Sequence, residues 1–317
     1  MLRLILPAAV VLFLAVSFGF LGGWPFRHSA PDAALSKEAA ISSDESRDDG
    51  AGSDTAPAPV AAAPQERPVS QPATSPAVEA EALAGLENRD PDEFRHQLAR
   101  RVLDPLVSAA DRQAFLVKLR ERNRRDLFVP TTRLRGESVV VGAGDSLSRI
   151  ASAARKRSGV LVTPALIQLV NGLTSDRIRR GATLVVPLVS TSIEIRKSDF
   201  RLYLRLGEEI LLDFPVGLGK NDGTPVGSFQ IQGKTKEPRW TRPDGKVVPF
   251  GDPSHLIGSR WMGFTLDGKK TSYGIHGTVD AASIGKSESD GCVRLLNADV
   301  EALFDLVPEG AEVRISP

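Results

Sequence analysis

The spacing of hydrophobic positions divides this 317-residue chain into blocks, and each block predicts a different kind of structure. No charge stands between Arg3 and Arg27, and Leu4 to Phe26 is dominated by Leu, Val, Ala, Ile and Phe. A bilayer takes about 20 apolar residues to cross, so this run predicts an N-terminal transmembrane helix within a membrane anchor or signal at 1–28. A cleaved secretory signal has a shorter apolar core and a small-residue cleavage site. Ala15-Val16-Ser17 serves poorly as that site, because Phe18 to Phe20 continue the apolar run. An uncleaved inner-membrane anchor is the first reading and a cleaved signal the second. Both export the rest of the chain to the cell envelope, facing or free in the periplasm. From 29 to 80 the pattern disappears into Ala, Pro, Ser, Asp and Glu. Such a segment buries too little to offset its chain entropy and reads as a disordered linker. Its prolines, Pro57 to Pro76, keep it extended. A spacing tether and a filler without a length requirement both fit.

Helical spacing begins next, in a short helical segment at 81–130. Asp90-Pro91-Asp92-Glu93 supplies an N-cap, a proline at the first helical position and acids in the first turn. Phe94, Leu98 and Val102 then recur on one face. Pro105 interrupts, and Ser108 with Asp111 opens a second helix as a capping box in which Asp replaces Glu. Phe115 and Leu119 continue the apolar stripe. The second helix ends in Lys118, Arg120, Arg122, Arg124 and Arg125. These cations read as a solvated face suited to a helix C-terminus, or else as a contact with anionic lipid or wall polymer.

A small α+β unit of βααβ order follows at 138–188. Val139 to Val141 is a strand, Ser146 caps a helix carrying Leu147, Ile150 and Ala151, and Thr163 caps a second carrying Leu166 to Val170. Asn171-Gly172 stops that helix, and Thr183 to Pro187 is a closing strand. Beyond Ser192 the period becomes two. Leu202, Leu204 and Leu206 alternate with Arg201, Tyr203 and Arg205, and with 210–216 they predict a hairpin. Gly217-Leu218-Gly219-Lys220 lacks the spacing of a phosphate loop. Phe229 and Ile231 resume a strand, and 237–254 reads as a surface loop over a cleft. Trp240, Trp261 and Phe264 are candidates for its lining or for the core. Val300, Leu303, Phe304 and Leu306 suit a short helix before a last strand at 313–315. The block at 191–316 is therefore mainly β.

Composition adds the chemistry. The formal net charge is +1, which argues against a nucleic-acid partner, and there is a single cysteine, Cys292. A lone cysteine in an exported chain has no partner for an internal disulfide and is either a small hydrophobe or a reactive thiol. It sits in Ser289-Asp290-Gly291-Cys292-Val293-Arg294. Gly291 permits a tight turn, and in an extended segment Arg294 shares a face with Cys292. His276, sixteen positions earlier in Tyr273-Gly274-Ile275-His276-Gly277-Thr278, is the candidate base. A thiol and an imidazole in contact are free to rest as thiolate and imidazolium. Backbone N–H groups at Gly291 and Cys292 are candidate oxyanion donors, and Arg294 suits a carboxylate. His255, in Pro253-Ser254-His255-Leu256, is a competing base in a loop. No cofactor is called for, and no His/Cys/carboxylate cluster has zinc spacing.

His276-Gly277-Thr278 followed by Ser289-x-Gly291-Cys292-Val293-Arg294 resembles the signature of the L,D-transpeptidase catalytic domain of YkuD type. Thr224 to Phe229 and Gly258 to Trp261 are similar to further landmarks of that family. Many members carry His where Asp290 stands. Gly144-Asp145-Ser146-Leu147, Asn171-Gly172-Leu173, Ile178 to Gly181 and Val186-Pro187 resemble a LysM domain, a glycan-binding fold. The resemblance implies a wall enzyme acting on peptidoglycan stem peptides and glycan strands. Cys292 would attack the carbonyl between a diamino acid and D-Ala, with His276 oriented by the backbone carbonyl of Gly277. Ser289, Gly291, Arg294 and Thr278 would shape the oxyanion and substrate site, and Gly144, Asp145 and Asn171 would meet glycan. An amine acceptor makes the enzyme a transpeptidase, and water makes it a carboxypeptidase. The competing reading is a wall-binding protein in which the LysM unit acts and the β domain is scaffold.

Overall fold

The computed structural model describes residues 76–130, 133–242 and 244–317. The expected transmembrane helix and most of the expected linker lie outside the described residues. Among the described residues no helix is long and apolar enough to cross a membrane.

Three helices come first: α1 (Pro76–Arg89), α2 (Pro91–Leu103) and α3 (Ala109–Asp126). α1 starts inside the stretch expected to be linker. The caps form as the sequence dictates. Asp90 accepts from the Glu93 N–H at 3.1 Å, and Ser108 accepts from the Asp111 N–H at 3.1 Å while donating to the Asp111 carboxylate at 2.7 Å.

The βααβ unit comprises β1 (Gly136–Val140), α4 (Leu147–Ser158), α5 (Pro164–Val170) and β2 (Thr183–Pro187), with β1 and β2 antiparallel. Ser146 and Thr163 cap the two helices as expected. Only Leu188, Val189 and Ser190 separate β2 from the next domain.

That domain contains β3 (Thr191–Arg196), β4 (Arg201–Leu206), β5 (Glu209–Pro215), β6 (Leu218–Gly219), β7 (Gly227–Lys236), β8 (Trp240–Thr241) and β9 (Val247–Val248). It continues with β10 (Arg260–Leu266), β11 (Lys269–Thr278), β12 (Ser287–Ser289), β13 (Val293–Leu296), α6 (Asn297–Leu306) and β14 (Glu312–Ser316). Eight strands form one sheet in the order β13-β11-β10-β7-β14-β3-β4-β5. β13 lies parallel to β11, because the chain from Thr278 to Val293 crosses over before pairing. α6 packs on β10, β11 and β13.

The helical segment is bound to this sheet. Phe94, Leu98, Ala99, Val102, Leu116 and Leu119 form a core with Tyr203 and Ile210. Tyr203, expected on the polar face of β4, is fully buried, because α2 and α3 cover that face. The expected solvated cation stripe holds for Lys118, Arg124 and Arg125, which are exposed, and is corrected for the other two. Arg120 forms a two-pronged ion pair with Asp213, at 2.7 and 2.6 Å, and Arg122 is buried against Asp126 at 2.9 Å. Carboxylates on β5 and at the end of α3 neutralise these side chains, so they belong to the fold.

Candidate active site

Register in the sheet builds the site. In β11 and β13, which run parallel, His276 is opposite Arg294 and Ile275 is opposite Val293. Opposed residues in neighbouring strands point to the same face, and residues two apart in one strand do too. His276, Arg294 and Cys292, just before β13, therefore share one face. On the other side of β11, Trp261 is opposite His276, and its ring stacks on the imidazole with centroids 6.2 Å apart. Gly277 points to the opposite face, toward α6: a Cβ there would stand 3.0 Å from Val300 Cγ1.

His276 is 4% exposed. Its Nδ1 donates to the carbonyl oxygen of its neighbour Gly277 at 2.8 Å, which leaves Nε2 as the acceptor. Burial lowers its pKa to about 4, against the raising effect of the Gly277 hydrogen bond, with further lowering from Arg294 and His255. The thiol of Cys292 donates weakly to the Ser272 carbonyl at 3.7 Å. Burial pushes this thiol up, a backbone hydrogen bond at Gly274 and the charge of Arg294 pull it back, and Asp290 raises it again. Both shifts favour neutral forms. For each group burial is the largest influence, and on the sulfur it outweighs the nearby guanidinium, so the surroundings favour thiol and imidazole over the charged forms.

The turn before the cysteine is held from within. Ser289 donates to the Cys292 carbonyl at 2.6 Å and accepts from the Gly291 N–H at 3.1 Å. The Gly291 N–H is thus engaged by Ser289, although the sequence offered it as an oxyanion donor. Gly291 has φ +121°, and a Cβ on it would stand 2.5 Å from Tyr273 Cε1 and 2.8 Å from the Gly223 carbonyl oxygen, so only glycine fits. Asp290 faces solvent and pairs with Lys220 at 2.8 Å. Thr278 is buried, and its hydroxyl accepts from the Asp280 N–H at 3.1 Å. His255 sits in the loop near the cleft, edge-on to Phe250, with Nε2 2.7 Å from the Pro238 carbonyl. Trp261, a candidate from sequence for the cleft lining or the core, is brought to the imidazole by cross-strand register; Tyr273 was not assigned to the site from sequence and lies against Gly291.

The chain matches the family model of the L,D-transpeptidase catalytic domain over residues 190–315 and that of the LysM domain over residues 139–187. YkuD of Bacillus subtilis is 32% identical over 187 residues, covering 56% of this chain and 96% of that protein. The chain belongs to the L,D-transpeptidase family. YqjB of Bacillus subtilis is 39% identical over 105 residues, and the chain spans 58% of its length. The NMR structure of the catalytic domain from the E. faecium L,D-transpeptidase acylated by ertapenem is 22% identical, with TM-score 0.33, covering 40% of this chain and 98% of that one.

Within the LysM domain, Gly144 and Asp145 lie on an exposed turn, with the Asp145 carboxylate accepting from the Gly142 N–H at 2.7 Å. Asn171 does not join them. It is 3% exposed, its Nδ2 donates to the Ile167 and Val185 carbonyls at 2.8 Å each, and its Oδ1 accepts from the Val185 N–H at 2.8 Å. The expected glycan contact is therefore corrected. Every polar atom of that side chain is used in tying α5 to β2.

Proposed function

We propose that Cys292 is the nucleophile and His276 the base of a two-step acyl transfer on peptidoglycan stem peptides. The observation that carries this reading is the neutral, oriented imidazole. Its Nδ1–H is committed to Gly277, so Nε2 faces outward on the side of the sheet that holds Cys292. In the first step Nε2 takes the thiol proton as sulfur attacks the carbonyl between a diamino acid and D-Ala. The oxyanion is met by the Cys292 N–H, a contribution on the order of 3 kcal/mol. The tetrahedral species then breaks its C–N bond, and the amine of D-Ala leaves with the proton from His276. In the second step an amine from another stem attacks the thioester and gives its proton to Nε2, the C–S bond breaks, and the sulfur takes that proton back from Nε2 to restore the thiol. Water in the amine's place gives the carboxypeptidase outcome. Arg294 assists by favouring charge on sulfur and by offering a guanidinium to a substrate carboxylate. The exposed Gly144-Asp145 turn of the LysM domain would engage the glycan strand, and the N-terminal apolar run would place the enzyme in the cell envelope.

Incubation with a disaccharide-tetrapeptide tests this. The expected result is an adduct on Cys292, seen by mass spectrometry as the substrate mass less D-Ala, and absent in Cys292→Ala and His276→Ala. Unchanged cross-linking in Cys292→Ala would favour the scaffold reading.

A further inference from the structure

Gly277 supplies the carbonyl that orients His276, and something must orient that carbonyl. Asn297, the first residue of α6, is placed to do so. Its Oδ1 accepts from the Ser259 N–H at 3.0 Å, just ahead of β10. The same oxygen lies so near Gly258 and Gly277 that a Cβ on either glycine would overlap it. A Cβ on Gly258, whose φ is +58°, would also stand 2.6 Å from the Gly277 carbonyl oxygen. The Gly258-Ser259 backbone therefore lies directly against the Gly277 peptide, and Asn297 clasps the two. Two residues beyond Ser259, Trp261 stacks on the imidazole. The clasp thus sets both the peptide that holds Nδ1 and the strand that carries the ring's stacking partner.

We propose that Asn297 is a positioning residue of the acyl transfer. By holding Gly258-Ser259 against Gly277 it aims the Gly277 carbonyl, and so keeps His276 as the Nδ1–H tautomer with Nε2 free for the thiol proton. The proposal rests on the reading of Cys292 and His276 given above. A residue that acts through the base should alter turnover more than substrate binding. Misplacing a catalytic group by about 1 Å costs up to about 100-fold in rate.

The test uses the full chain with Asn297→Ala and Asn297→Asp. Asp retains an acceptor oxygen for the Ser259 N–H. Two readouts are taken: kcat and KM for the tetrapeptide substrate, and the His276 tautomer by nitrogen-15 NMR of the histidine ring. The expected result for Asn297→Ala is a fall in kcat of about 10- to 100-fold with KM little changed, together with a mixed tautomer. Asn297→Asp should recover the Nδ1–H form and most of the turnover. An unmixed tautomer in Asn297→Ala, or equal loss in both variants, overturns the proposal. If Asn297→Ala does not fold, the tautomer in Asn297→Asp decides alone: Nδ1–H retained supports the clasp, and Nδ1–H lost overturns it. The tautomer readout needs no turnover. Failure of the nucleophile assignment, read in Cys292→Ala, is therefore separable from failure of the clasp.

Discussion

A buried histidine and a half-buried thiol on one face of the sheet both favour their neutral forms. The folded pKa of His276 is about 4, below the ordinary 6.5 of the unfolded chain. As pH falls through 6.5 the unfolded state takes up the proton and the folded state does not, so stability drops until pH reaches about 4. The full effect is about 3 kcal/mol. Chemical denaturation at a series of pH values should show this loss, and His276→Asn should show less of it; equal slopes in both would refute the assignment. Cys292, with its thiol raised by burial, should alkylate with iodoacetamide at pH 7 more slowly than a small free thiol, and the rate should climb with pH beyond the ordinary thiol range. A plateau already reached at pH 6 would mean a resting thiolate. Gly277→Ala would drive a methyl into Asn297 and against Val300. It should abolish acylation, as read by adduct mass, through loss of the aligned carbonyl.

The helices α2 and α3 decide the fate of one end of the sheet. β5 is an edge strand, and edge strands carry unpaired backbone groups that invite association. Asn123 on α3 answers two of them, donating to the carbonyls of Ile210 and Leu211 at 2.6 and 3.2 Å. Arg95 on α2, wholly buried, pairs with Glu209 of β5 at 3.0 Å, with Asp126 at 3.3 Å and with Asp92 at 2.7 Å. Removing one member of a buried ionic cluster leaves the others uncompensated, at a cost of about 3–5 kcal/mol. Arg95→Met should lower the urea midpoint accordingly, and a loss below about 1 kcal/mol would show that the carboxylates rehydrate instead. A chain beginning at residue 133 would expose Tyr203 and Ile210, and should associate in light scattering where the chain from 76 remains monodisperse.

Across the molecule, the LysM and catalytic domains share one hydrophobic core. The six residues from Ala165 to Val170 are all buried, because α5 is covered by its own domain on one side and by α6 on the other. A helix apolar on nearly every side must be covered all round, and its one polar side chain, Gln168, donates to the Leu173 carbonyl at 3.2 Å. Thr163 and Thr191 both donate to the Leu306 carbonyl at 3.4 Å, and the Leu161 N–H donates to Ser190 at 3.0 Å across the short connection. The LysM unit is thus continuous with the catalytic domain. Calorimetry of residues 76–317 should give one cooperative transition, and two resolved transitions would show independent units.

Local chemistry made much of this protein readable in one dimension. Caps at Asp90, Ser108, Ser146 and Thr163, the alternation in β4, and the family signature around His276 and Cys292 depend on neighbours a few residues away or on a motif. The tertiary structure decided what depends on distant partners. It buried Tyr203 beneath two helices, used up the polar atoms of Asn171 inside the LysM fold, and stacked Trp261 on His276. It also brought Asn297 against Gly277 and set the burial that favours the neutral forms of the thiol and imidazole. Burial and cross-strand register govern those outcomes. Both depend on which segments meet, and only the folded sheet brings those segments together.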